Sequence, residues 1–185
     1  MRKELLAGML LAACGLVVLV ASTALAGGNG GGGHFRAQLN GYNEVVGSNA
    51  AGDSGSVSTT GRGRFEAQLR QNPLRIHYRL RYQNMEDTVT QAHIHFAQRH
   101  VGGGVIAFLC GGGGKPACTS PNGDIQGDIL QSDIIGPTGQ GIEPGAFAEA
   151  VAAMRAGATY ANVHSTPRFP EGEIRGQIRG RGDDD

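Results

Sequence analysis

The chain has 185 residues, and its 16 Lys plus Arg balance its 16 Asp plus Glu, so the formal net charge is zero. That balance removes any global electrostatic case for nucleic acid as a partner. With 39% hydrophobic residues and 32 glycines, the composition fits one small, turn-rich globular unit.

Arg2 and Lys3 open the chain, and an apolar run follows over residues 5–25. Ala24-Leu25-Ala26 then matches the small-x-small cleavage pattern of a secretory signal. Residues 1–26 are therefore expected to be a removed signal peptide, with no transmembrane segment in the mature chain. Export to the periplasm or the extracellular space follows. A rival reading takes Leu11-Ala12-Ala13-Cys14 as a lipoprotein box with a lipid on Cys14. It ranks lower, because residues 15–26 would then remain as an apolar tail after the cut. Residues 27–33 form a glycine-rich leader with nothing to pack.

From His34 the hydrophobic period is two. Phe35, Ala37 and Leu39 alternate with polar residues, as do Phe65, Ala67 and Leu69, and then Leu74, Ile76, Tyr78 and Leu80. Asn72-Pro73 separates the last two runs and reads as a turn. Ala92, Ile94 and Phe96 continue the pattern with His93 and His95 on the other face, and residues 105–110 read as a more central strand. Ile125, Gly127 and Ile129 follow. Ala161 and Val163 point inward with Tyr160, Asn162 and His164 outward, and Ile174, Gly176 and Ile178 point inward with Glu173, Arg175 and Gln177 outward. One stretch is helical: Phe147, Val151 and Met154 are spaced for a helix over residues 143–156, with Pro144 in its first turn and Gly157 past its end. The expected fold is all-β: an antiparallel immunoglobulin-like sandwich or Greek-key barrel over residues 34–179, with one inserted α-helix and a polar tail at 180–185.

Cys110 and Cys118 remain after removal of the leader, and an exported chain with two cysteines is expected to join them. Closing so short a loop stabilises the fold by about 2–3 kcal/mol on the chain-entropy model.

The sharpest chemical pattern is Ala92-His93-Ile94-His95 together with Asn162-Val163-His164. Residues i and i+2 share a strand face, so His93 and His95 point the same way, and His164 joins them if the two strands are neighbours. Three neutral imidazoles suit Zn or Cu, with a fourth position open to water. Glu173 is a candidate fourth ligand or ring-orienting residue, and Gln91 and Asn162 are candidates for orienting the rings. The bland alternative is a set of solvated or hydrogen-bonded surface histidines. A cupin is disfavoured, since no Glu occurs between Phe96 and Ile142, and the histidine-rich loop of Cu,Zn superoxide dismutase is missing. Gly52-Asp53-Ser54-Gly55 mimics a serine-protease nucleophile loop but has no separate triad Asp before it. Residues 111–115 lack the outer glycine and the hydroxyl residue of a phosphate loop, and Arg181-Gly182-Asp183 is read as a chance tripeptide.

Phe35-x-Ala37-x-Leu39-x-Gly41-Tyr42-x-Glu44, Ala92-His93-Ile94-His95, Gly157-x-x-Tyr160-x-Asn162-Val163-His164-Ser165 and Pro170-x-Gly172-Glu173-Ile174-Arg175-Gly176-Gln177 together resemble the CHRD domain, named from chordin and found in many secreted bacterial proteins. The likeness covers residues 34–178. It departs at Val45-Val46-Gly47-Ser48, where the family has a proline-rich stretch, and at Ser165, where threonine is usual. It implies an extracytoplasmic immunoglobulin-like β architecture and no established catalysis; in chordin the domains belong to a protein that sequesters growth factors. Within the closing motif, Asn162, Glu173, Arg175 and Gly176 also admit a purely structural reading, with Glu173 pairing to Arg175 or bonding across to Asn162, and Gly176 allowing close strand approach.

Three functions stay open. The first is a binding or structural module, with or without Zn or Cu on His93, His95 and His164, acting on an unidentified protein or matrix partner. The second is a copper redox or zinc hydrolytic enzyme on the same histidines. The third is a structural extracellular module with no ligand.

Overall fold

The computed structural model describes residues 33–47 and 55–180. The expected signal peptide, Cys14, most of the glycine-rich leader, Ser54 and the Arg181-Gly182-Asp183 tripeptide lie outside the described residues.

Among the described residues, eight strands run as β1 (His34–Asn40), β2 (Arg62–Gln71), β3 (Leu74–Gln83), β4 (Thr88–Phe96), β5 (Val105–Cys110), β6 (Gly123–Ile129), β7 (Thr159–Thr166) and β8 (Phe169–Gly180). They form one sheet in the order β5-β4-β7-β8-β1-β2-β3-β6, with every pairing antiparallel. The sheet curls until its edges meet: the Tyr78 hydroxyl on β3 donates to the Leu109 carbonyl on β5 at 2.7 Å. β5 and β6 touch without pairing, so the barrel is nearly closed. Of the two all-β arrangements open at the level of sequence, the pairing describes a single continuous sheet and not two facing ones. Register shifts within the β4–β5, β4–β7 and β7–β8 pairings mark where the strands bend.

Period-two alternation puts Phe65, Leu80, Ile94, Val163, Ile174 and Ile178 inside, all at most 1% exposed. Each such side chain stabilises the fold by roughly 1.5–3 kcal/mol through burial. Gly176 lies where β8 passes β1, and a Cβ there would collide with the Gln38 carbonyl and Ala37. The Cα atoms of Cys110 and Cys118 are 5.2 Å apart, the spacing of a bonded pair.

The helix is α1 (Phe147–Arg155), starting later than the alanine-rich pattern predicts. Gly145, at φ +81°, turns the chain in a left-handed conformation just before it, so Pro144 sits in the approach and not in the first turn. Gly157, at φ +64°, follows the last turn, as expected of a helix stop. Phe147, Ala150, Val151 and Met154 carry the apolar stripe of α1 into the barrel core. Among the described residues, no helix is long and apolar enough to cross a membrane.

Candidate metal centre

β4 supplies His93 and His95 two residues apart on the face turned away from the barrel core. β7 lies directly beside β4, in a register that sets Gln91 opposite His164, His93 opposite Asn162 and His95 opposite Tyr160. The three imidazoles therefore meet. Ring centroids are 4.8 Å apart for His93 and His164, 5.3 Å for His93 and His95, and 6.0 Å for His95 and His164. One nitrogen from each ring can be chosen so that all three lie within 4.8 Å of one another.

Outward direction predicted contact with solvent; the structure corrects that for the first pair. His93 is 4% and His95 8% exposed, and His164 is half-buried. Other parts of the chain cover this patch. The Phe108 ring of β5 stands edge-on to His93 at 4.5 Å. The Tyr160 ring of β7 stacks on His95 at 4.7 Å with an interplanar angle of 6°. The Arg175 guanidinium packs 3.5 Å from the Tyr160 ring centroid, and its Nη2 donates to the Gln98 and Val101 carbonyls at 3.1 and 2.8 Å, which ties the β4–β5 connection down over the site.

Main-chain carbonyls hold two of the rings. His95 Nδ1 lies 2.9 Å from the Gly103 carbonyl oxygen, and His164 Nδ1 lies 2.9 Å from that of Pro170. A carbonyl only accepts, so both Nδ1 atoms carry the proton and both Nε2 atoms keep a lone pair. His93 Nδ1 lies 3.1 Å from His164 Nε2 and donates to it. The Nε2 atoms of His93 and His95 are buried without a hydrogen-bond partner. A nitrogen of His93 completes a three-nitrogen set with His95 and His164; use of Nδ1 would move the His93 proton to its Nε2.

Burial, then the charges of His164 and His95, push His93 down to about 3. Burial takes His95 down to about 4 against the raising effect of its Gly103 bond, and burial also lowers His164. The set is neutral at neutral pH, the protonation state a metal needs. Unfolded histidines bind protons near 6.5 while the folded pair refuses them until about 4 and 3, so stability present above 6.5 drains away on acidification. Glu44 opposes this: burial raises it from 4.5 to about 7, so its contribution is complete below 4.5 and is lost as pH rises through 7. Two histidines outweigh one carboxyl. Chemical denaturation of protein stripped of metal is expected to show about 2 kcal/mol less stability at pH 4.5 than at pH 6.5. A flat or inverted profile would mean that the rings are not held neutral.

The side chains expected to orient the rings are engaged elsewhere. Glu173 Oε1 accepts from Thr59 Oγ1 at 2.6 Å and from the Glu86 amide at 2.9 Å, and its Oε2 accepts from the Ser165 hydroxyl. Asn162 Nδ2 donates to Glu44 Oε2, leaving its Oδ1 buried without a partner. Gln91 Nε2 donates to the Gly111 carbonyl at 3.4 Å. Glu173 pairs with neither Arg175 nor Asn162 in these bonds. The φ of +142° at Gly172 sets the chain ahead of Glu173, and a Cβ there would strike Asn162 and Glu44. His77 bonds Asp128 at 2.8 Å, and His34 bonds Gln68 at 3.1 Å. Neither belongs to the cluster, and nor does His100. Sequence reading missed Phe108, the covering role of Tyr160 and both carbonyls. For Tyr160 a signal existed, since it shares a strand face with His164 at four residues' distance.

The model of the CHRD domain matches residues 35–178, from the first inward side chain of β1 to the last of β8. The chain belongs to the CHRD domain family. No curated protein and no solved structure shows a significant match to it. In this CHRD domain the histidines lie on the two strands that carry the middle motifs of the match, and the closing motif forms β8, which supplies Arg175 to the cover of the site.

Proposed function

We propose that this CHRD domain is an exported binding module that holds one Zn or Cu ion through His93, His95 and His164. The observation that carries the reading is the pair of carbonyl-anchored tautomers: Gly103 and Pro170 hold two rings so that both Nε2 atoms keep a lone pair, in a trio with one nitrogen from each ring within 4.8 Å of the others. Hydrogen bonding of a ligand's second nitrogen to a carbonyl is the usual way a protein orients a metal-binding imidazole. Three nitrogen ligands leave a coordination position for water or for a group from a partner. Export is supported by the leader-like start of the chain, by the extracellular setting typical of CHRD domains and by the Cys110–Cys118 pair.

A second reading is supported by the His93–His164 contact, which gives these rings a partner without any metal. In it the trio is a structural clasp between β4 and β7. Equilibrium dialysis of purified, chelator-treated protein against Zn and against Cu separates the two. The metal reading predicts one ion per chain and loss of that ion in His164→Ala. Less than a tenth of an ion per chain with both metals, or equal retention in His164→Ala, would leave the clasp.

A further inference from the structure

One arginine reaches His95 by two routes. Arg175 lies on β8 directly opposite Asn162, which in turn faces His93 across β7 and β4. Its side chain is 2% exposed, and the charge of Glu44 acts on it. The first route runs through residues 97–104, the connection between β4 and β5. Gln177 and Gln140 fasten the ends of this connection, at the Ala97 carbonyl and the Gly104 amide. Arg175 holds its middle. There the Val101 amide donates to the Gln98 carbonyl at 3.3 Å, and Arg175 Nη2 donates to the carbonyls of both residues, so it grips both ends of the turn. Two residues on, the Gly103 carbonyl accepts from His95 Nδ1. Glycine is required at that position, because a Cβ would run into the Phe96 carbonyl.

The second route runs through a ring. β7 lies between β4 and β8, so Tyr160 stands between His95 and Arg175. Its ring stacks on His95, and the guanidinium packs on it 3.5 Å from the centroid. The ring quadrupole and the planar contact hold a guanidinium in that place. The Tyr160 hydroxyl also accepts from the Gly103 amide at 3.4 Å, so the two routes meet at one residue. A ligand imidazole must have two things fixed: the plane of its ring, and the nitrogen that keeps the lone pair. For His95 the Tyr160 stack fixes the first and the Gly103 carbonyl the second. His164 is held separately, by Pro170.

We propose that Arg175 is a positioning residue of the metal centre, fixing His95 through the 97–104 connection and the Tyr160 ring. Its effect on metal affinity rests on the metal reading above; its effect on the ring does not. Nitrogen-15 NMR of chelator-treated protein reports which ring nitrogen carries the proton, and a Zn titration reports affinity. Arg175→Lys keeps a positive charge beside Glu44 but loses the planar fork. In it His95 is expected to change from a single Nδ1-protonated form to a mixture of tautomers, while His164 keeps its proton on Nδ1. Zn affinity should fall about 10–100-fold, as when a residue that orients a ligand is removed. Tyr160→Phe keeps the stacked ring and should hold the His95 tautomer, with Zn affinity within about threefold of the parent. In the parent protein the Arg175 guanidinium protons should be resolved and shifted upfield by the Tyr160 ring, a readout that needs no variant to fold. A His95 tautomer unchanged in Arg175→Lys would overturn the proposal, as would equal loss of order at His164 or a parent guanidinium averaging freely with solvent. A parent that binds no Zn, but whose His95 tautomer still follows Arg175, would overturn the metal reading and leave the positioning role standing.

Discussion

Saturating Zn is expected to raise the melting temperature of the chelator-treated protein by roughly 6–10 °C, and His164→Ala is expected to abolish the rise. An ion at about 100 times its dissociation constant stabilises the folded state by about 2.7 kcal/mol. Each kcal/mol is worth roughly 2–4 °C in a domain near this size. The gain is expected because the site is prepared before the ion arrives: the rings are neutral, and two of them are already turned by Gly103 and Pro170. His164 is the best position for the test. It is half-buried, whereas His93 and His95 are nearly enclosed, and truncating either of those would also open a cavity. Losing His164 leaves two ligands and deprives His93 Nδ1 of its acceptor, a basal cost of about 1 kcal/mol. His77→Ala is the control, since that ring pairs with Asp128 on β6 and should leave the Zn-dependent rise intact. A rise that survived in His164→Ala would place the ion elsewhere.

The second large effect is expected at Glu173. Its carboxylate is fully buried, and it accepts hydrogen bonds from Thr59, Ser165 and the Glu86 amide. These come from three separate parts of the chain, so one side chain joins the segment ahead of β2, the β3–β4 connection and β7. Glu173→Ala strands three donors in the interior, each costing about 1–3 kcal/mol and not additively. A loss of at least about 3 kcal/mol in chemical denaturation is expected, with roughly half of it restored by Glu173→Gln, whose amide oxygen still accepts. Zn affinity should be the same in Glu173→Gln as in the parent, because both carboxylate oxygens are committed away from the imidazoles. A stable Glu173→Gln that had lost Zn would return this residue to the ligand set.

The strands were legible because burial on one face imposes a period of two, and each run of inward Phe, Leu, Ile or Val marks a strand in the barrel. The shared face of His93 and His95 followed from the same geometry. Adjacency of β4 and β7 was not legible: β5, β6 and α1 intervene in the chain, and no local pattern states that β7 inserts beside β4. Nor was the burial of His93 and His95, because the cover comes from Phe108, Tyr160 and the β4–β5 connection, and period two assigns a face without saying what lies over it. The carbonyls of Gly103 and Pro170 have no sequence signal, since every residue has one. Glu173 misled for a related reason. Alternation sets it on the face of Arg175, but the φ of Gly172 and the shifted register between Val163 and Ser165 bring its carboxylate to Ser165 and Thr59. The helix was recognisable from alanine and its apolar spacing, whereas its start was decided by the left-handed turn at Gly145.

Anomalous diffraction from crystals of the Zn-loaded protein tests the metal reading most directly. One peak should appear about 2.0–2.1 Å from the Nε2 atoms of His95 and His164 and from one nitrogen of His93. A peak confined to exposed rings such as His34 or His77, with the His93–His164 hydrogen bond intact, would contradict it.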